Sequence, residues 1–324
     1  MTRRRLVVDP ETPDPALIVE AGRVLREGGL VAFPTETVYG LGANALDPHA
    51  IARLYEAKGR PAYNPVILHV ASVVAARRLA RAWPEAADRL VATWWPGPLT
   101  LVLPRSPSVP DAVTAGLDAV GIRIPAHPVA LALLEAAGVP VAAPSANRST
   151  ELSPTTADHV EHALGDRVDV LLDGGPTTMG IESTVVDLTG AQPVLLRPGL
   201  VSREEIELLA GPLAAADEPE GTAPRRGPGQ LLRHYAPRGV LELVPAAALQ
   251  ERIAVTEEPG VGILARTAHV LPRPGDRLLR MPATPRLYAR RLYAALHELD
   301  AAACPRILCE AVPDDAAWEG VRDR

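Results

Sequence analysis

Apolar residues recur at helical spacing over positions 16–27 and stop at Gly28-Gly29, which predicts a helix ended by glycine. Positions 30–33 form a short apolar strand that runs into a polar turn, 34–42, punctuated by Gly40 and Gly42. A second helix is predicted over 51–57, with Lys58 just beyond its end, followed by a buried strand at 66–70. Further strands are expected at 99–103, 120–124, 139–142, 168–172 and 183–188, with helices at 128–137 and 157–164 between some of them. Alternating strands and helices indicate an α/β domain. Between Gly211 and Gly239 the pattern collapses into Ala, Glu, Pro and Gly, the composition of a linker. Strands then return at 240–244, 261–265 and 307–310, with an amphipathic helix at 286–299. The chain therefore divides into a first domain at 1–211, a linker at 212–239 and a small second domain at 240–324.

Composition narrows the class. With 47% hydrophobic but only 3% aromatic residues in 324, the cores must be built from Ala, Val, Leu and Ile. A formal charge of −6 argues against a protein that coats nucleic acid non-specifically, and no stable nucleic-acid binding is expected. Cys304 and Cys309 fit neither a CxxC redox pair nor a four-ligand zinc site, so a reduced cytoplasmic protein is the simplest reading. Arg3, Arg4 and Arg5 are followed by an acidic, proline-broken stretch, which is not a signal peptide. No stretch approaches the roughly 20 apolar residues that span a bilayer. Lys58 is the one lysine among 33 basic residues, and a compact ammonium in a background of guanidiniums suggests a contact that needs the smaller head.

Three constellations carry candidate chemistry. Lys58, Arg60 and Asn64 share a loop stiffened by Pro61 and Pro65, and suit a polyphosphate: the lysine as a point charge, the arginine as a fork. Pro144-Ser145-Ala146-Asn147 ends a strand in a polar cluster, where ligands of open α/β sheets bind. The glycine-rich run from Asp173 to Thr184 exposes backbone N–H groups that could hold an anion. Arg123 is a cation on an apolar strand and needs a partner, whereas His69, alone in another, reads as a satisfied core histidine. Taken singly, the Pro-Ser-Ala-Asn and Gly-Gly-Pro runs are also plain turns. P-loop, GxGxxG, HExxH and GxSxG signatures are missing.

Together, FPTETVYGLG, KGRPAYNP, WPGPLT, VTAGLDAVGIRIPAHP, APSAN, DGG…GIEST, LLRPG and RHYAP, in order from about residue 15 to 238, resemble the two-domain Sua5 form of the YrdC family of L-threonylcarbamoyladenylate synthases. The resemblance implies a YrdC-like twisted open sheet with flanking helices and a small Rossmann-like C-terminal domain. It implies that L-threonine, bicarbonate and ATP, with Mg²⁺, give threonylcarbamoyl-AMP and pyrophosphate. Other proteins of a tRNA threonylcarbamoyl transfer machinery would then make the t6A modification at tRNA adenosine 37. By motif, Lys58, Arg60, Ser145, Asn147 and Ser153 would hold the nucleotide and its phosphates, with Asn64, Arg197, Ala119 and Tyr235 beside it. Thr37, His69, Arg123, Ala143 and Ser183 would bind threonine, Arg123 pairing with its carboxylate, with Thr35 on the same turn. No direct protein ligand to metal is implied. Lys58 and Arg60 would carry the catalytic charge neutralisation.

Two segments depart from the family. Its linker usually reads like PGMKYKHYAP, while here Pro228-Gly229 is followed by Gln230-Leu231-Leu232. The C-terminal end reads as short against the family's glycine-rich segment and basic helix, so either the terminus differs or the chain is truncated. Arg233-His234-Tyr235 suggests that the linker closes as a lid over the nucleotide. Competing readings are a dihydroxybutanone-phosphate synthase, which needs clustered acidic residues, a YrdC-like module that binds double-stranded RNA, and a hydrogenase-maturation carbamoyltransferase, whose zinc-finger and acylphosphatase parts have no counterpart here.

Overall fold

The computed structural model describes residues 4–61, 63–215 and 235–324. Most of the linker, with Arg233 and His234, lies outside the described residues, and with it the expectation of a lid. The first unit is a mixed sheet of ten strands: β1 (Arg4–Val7), β2 (Val31–Phe33), β3 (Gly40–Asn44), β4 (Leu68–His69), β5 (Leu99–Pro104), β6 (Ala119–Arg123), β7 (Val141–Ala142), β8 (Val170–Asp173), β9 (Thr184–Asp187) and β10 (Val194–Arg197). Their order across the sheet is β1-β8-β2-β3-β7-β4-β6-β5-β9-β10. Helices pack on the sheet and bury cores of aliphatic residues such as Leu41, Leu54, Leu68 and Leu101 in one cluster and Leu25, Leu133 and Leu172 in another.

The helix ends follow local chemistry. Asp14 and Asp47 cap the helices Pro15–Arg26 and Pro48–Lys58 by accepting N–H bonds, each with proline in the first turn. Lys58 is thus the last helical residue rather than one beyond the end, and its ammonium is delivered to the sheet. The stretch expected to be turn throughout 34–42 instead becomes β3 from Gly40, antiparallel to β2. Its glycines permit this, since a Cβ on Gly42 would meet the Phe33 ring and Val141 at 3.0 Å. The expected strand at 66–70 narrows to two residues. Two helices were not anticipated: Val73–Leu79, capped by Ser72, and Glu85–Trp94, which follows Pro84 and buries Ala87, Leu90 and Val91 at helical spacing.

The second unit is a parallel sheet, β11 (Val240–Val244), β12 (Gly262–Ala265), β13 (Arg277–Arg280) and β14 (Arg306–Glu310), in the order β11-β14-β12-β13. The long helix Pro285–Ala301 packs its Tyr288, Tyr293 and Leu296 against Val38, Leu152 and Ile181 of the first unit. The two units therefore share one apolar cluster.

Candidate active site

The edges of β3, β4, β6 and β7, the turn between β2 and β3, the loops that carry Arg60, Asn64, Ser145 and Glu151, the start of β9 and the end of β10 enclose a cleft. Its wall includes Thr35, Thr37, Lys58, Arg60, Asn64, His69, Arg123, Ala143, Ser145, Asn147, Ser183, Arg197 and Tyr235. Thirteen of the fifteen residues singled out from the sequence meet there. The other two do not reach the wall. Ala119 opens β6 opposite Pro104, and Ser153 is fully buried behind the cleft.

Lys58 is only 2% exposed. Its Nζ donates to the backbone carbonyls of Ser145 at 2.6 Å and Asn147 at 2.5 Å, so the lone lysine ties the helix end to the Ser145–Asn147 loop. Burial, followed by the charge of Arg60, pushes its pKa well below the ordinary lysine value. Arg60 donates Nε to Asn64 O and Nη2 to Asn64 Oδ1 and Pro65 O, at 3.0, 2.7 and 2.7 Å, which folds the loop around the guanidinium.

Arg123 has the partner its position demands. Nη2 donates to Glu36 Oε1 at 2.6 Å and Nε to Gly97 O at 3.1 Å. Glu36 also accepts the Ala126 N–H, so it is a carboxylate that the sequence reading passed over although it stands inside the Thr35–Thr37 turn. The hydroxyls of Thr35 and Thr37 are 2.8 Å apart, and Thr35 donates to Val38 O, which fixes the turn that faces Arg123. His69 is not the satisfied core histidine its surroundings suggested. Its buried Nδ1 has no hydrogen-bond partner among the described residues. Burial, then the Arg123 charge, lowers its pKa to about 3, so it stays a neutral imidazole.

On the opposite wall, Arg197 donates Nε to Ser183 O, Nη2 to Ser183 Oγ and Nη1 to the Tyr235 hydroxyl, at 3.0, 3.1 and 3.1 Å. Ser183 Oγ is 2.7 Å from Thr100 Oγ1, another residue not anticipated. Tyr235 enters as the linker's last turn docks, with Ala236 N donating to Thr150 O at 3.0 Å. Burial raises the Tyr235 pKa, so the phenol keeps its proton.

Four cations line the cleft against two carboxylates, Glu151 and Glu182. Glu182 is committed, accepting from Ser153 Oγ, from the Tyr293 hydroxyl at 3.0 Å and from Arg324 Nε at 2.5 Å. Burial raises its pKa, but Arg324 and Arg197 more than offset that and hold it below the usual carboxylate range. The cleft is therefore a desolvated, net-positive pocket with neutral hydrogen-bonding groups, suited to holding two anions side by side.

Family comparisons agree with this geometry. The Sua5/YciO/YrdC model, described as "Telomere recombination", matches residues 23–199, and the model described as "Threonylcarbamoyl-AMP synthase, C-terminal domain" matches residues 201–324. The threonylcarbamoyl-AMP synthase of Pyrococcus abyssi is 44% identical over 314 residues, covering 94% of this chain and 91% of that protein. That of Bacillus subtilis is 41% identical over 324 residues, covering 97% and 92%. The crystal structure of P. abyssi Sua5 complexed with L-threonine superposes with a TM-score of 0.89 at 41% identity, covering 100% of this chain and 96% of that one. The chain belongs to the Sua5/YciO/YrdC family.

Proposed function

We propose that this protein is an L-threonylcarbamoyladenylate synthase, a nucleotidyltransferase that converts L-threonine, bicarbonate and ATP into threonylcarbamoyl-AMP and pyrophosphate. The observation that carries the reading is the convergence of Lys58, Arg60, Arg123 and Arg197 on one cleft beside a neutral His69. Synthases close to it in sequence and a threonine-bound structure close to it in shape support the choice of substrates.

The chemistry follows from charge. The threonine amine adds to bicarbonate with loss of water, giving a carbamate, and a carbamate oxygen displaces pyrophosphate from the α-phosphorus. Both reactants are anions, so the protein contributes mainly positioning and charge neutralisation. Arg123 would receive the threonine carboxylate, with Thr35, Thr37, Ala143, Ser183 and neutral His69 around its amine and hydroxyl. Lys58, Arg60, Asn64, Ser145 and Asn147 would hold the nucleotide, with Arg197 and Tyr235 beside it and Ser153 behind. Exclusion of water protects the mixed anhydride once formed.

Mg²⁺ fits as a cation carried on the phosphate oxygens of ATP, where it would neutralise charge at the leaving group. Of the two wall carboxylates, Glu182 is spent on Ser153, Tyr293 and Arg324, while exposed Glu151 makes no side-chain bond among the described residues and could meet the ion's water shell.

A double-stranded RNA module is the weaker reading. Duplex phosphates need exposed cations, whereas Lys58, Arg123 and Arg197 are 2%, 4% and 4% exposed. No helix among the described residues is long and apolar enough to cross a membrane. The reading places the enzyme in the cytoplasm, handing its product to a transferase that modifies tRNA. Pyrophosphate release is the test: it should require ATP, bicarbonate and threonine together, and equal release without threonine would reject the assignment.

A further inference from the structure

The loop Met179–Ser183 is gripped from both sides. On the catalytic side, Met179 N donates to Glu36 O at 2.7 Å and Gly180 N to Thr37 O at 3.0 Å, so the loop carries the backbone of the turn proposed to bind threonine. Ser183, at its other end, is held by Arg197. The second unit supplies the opposite side. Gly180, at φ 81°, lies directly on the helix Pro285–Ala301, where a Cβ would be 2.5 Å from Arg290 Cα and 2.6 Å from Ala289 O. Ile181 is fully buried among that helix's apolar residues.

Glu182 sits at the centre of this loop and is 6% exposed. A carboxylate desolvated to this degree needs several donors. Among the described residues, Ser153 is the one donor from the first unit; the Tyr293 hydroxyl and the Arg324 guanidinium come from the second. His297, one turn beyond Tyr293, reaches Ser153 O at 3.1 Å, so Ser153 is fixed at both its hydroxyl and its carbonyl by a network that crosses between the units.

We propose that the second unit is a positioning device for the reaction: Tyr293, across the domain interface, orients the Glu182 carboxylate, and Glu182 in turn sets Ser153 and the Met179–Ser183 loop against the substrates. Tyr293 and Glu182 are positioning residues, since neither needs to touch a reacting atom. The physical demand is severe because a misplacement of about 1 Å costs on the order of a hundredfold in rate. The proposal rests on the synthase reading above.

The test is a double-mutant cycle of Tyr293→Phe and Glu182→Gln, read as kcat and threonine KM from pyrophosphate release, with thermal unfolding recorded for each protein. Tyr293→Phe removes one oxygen and keeps the packing. It is expected to fold and to lower kcat by about tenfold, the rate equivalent of one hydrogen bond to a charged group. In the Glu182→Gln background the same change should have little further effect, because the two residues act as a unit. Should Tyr293→Phe fail to fold, His297→Phe, which removes the other bond from the second unit to Ser153, is expected to lower kcat likewise, and parental kcat in that folded variant would also overturn the proposal. Parental kcat and KM in a folded Tyr293→Phe, or fully additive losses in the cycle, would overturn it. A parental protein with no threonine-dependent turnover would instead bring down the functional reading itself, and this proposal with it.

Discussion

Replacing Arg123 by alanine separates two roles that one guanidinium plays. Its side chain and that of Glu36 are 5% and 6% exposed and 2.6 Å apart, so the change leaves a buried carboxylate with the Ala126 N–H as its remaining partner among the described residues. Breaking a buried pair in this way costs about 3–5 kcal/mol of stability. If the same guanidinium also receives the threonine carboxylate, threonine binding weakens by roughly 2–5 kcal/mol, a loss of about 30-fold at the lower figure. ATP should be nearly unaffected, because Lys58 and Arg60 are tied to the separate Ser145–Asn147 and Asn64–Pro65 segments. Glu36→Gln is the control that keeps the cation. It should lower the unfolding midpoint, yet leave threonine affinity unchanged or tighter, since Arg123 then carries an uncompensated charge. Calorimetric titration of both ligands into both variants decides the matter. Equal loss of threonine affinity in Arg123→Ala and Glu36→Gln, or equal loss of threonine and ATP affinity in Arg123→Ala, would refute a direct role.

Other consequences are as concrete. Lys58→Arg should not behave as a conservative change: a larger fork in a site 2% exposed overpacks by about 1–3 kcal/mol, and turnover should fall by about tenfold or more, so near-parental pyrophosphate release would show the lysine to be incidental. Stability should fall as pH drops below 6.5, because an unfolded His69 takes up a proton that the buried ring, with pKa about 3, refuses. The slope attributable to such a group is about 1.4 kcal/mol per pH unit, and urea midpoints that do not change between pH 6.5 and about pH 5 would contradict the assignment. Excess chelator should stop turnover while leaving threonine binding measurable, whereas full activity without divalent cation would remove Mg²⁺ from the account.

How much of this was legible in the sequence depends on the range of the interaction concerned. The helices at 128–137 and 157–164 could be read from periodicity because their caps and stops, His127 and Gly138, Thr156 and Gly165, are adjacent in the chain. Strand β3 could not, since what makes Gly40–Asn44 a strand is its pairing with β2 on one side and with β7 on the other, and β7 lies far along the chain. The site residues were named through ordered motifs, but motifs carry identities rather than contacts. That Arg123 needs an anion was evident from an isolated charge on an apolar strand; that Glu36 supplies it required the turn to be folded. Glu182 lay inside a highlighted segment, yet its partner Tyr293 is one tyrosine on an amphipathic helix, with nothing local to distinguish it from a core residue.

The proposed product contains a bond between a carbamate oxygen and the α-phosphorus of AMP. Incubation with ATP, threonine and isotope-labelled bicarbonate, followed at once by mass spectrometry, tests it most directly. One new species containing AMP, threonine and the labelled carbon in equal proportion should form together with pyrophosphate. Labelled carbon absent from any AMP-containing product, while ATP is consumed, would contradict it.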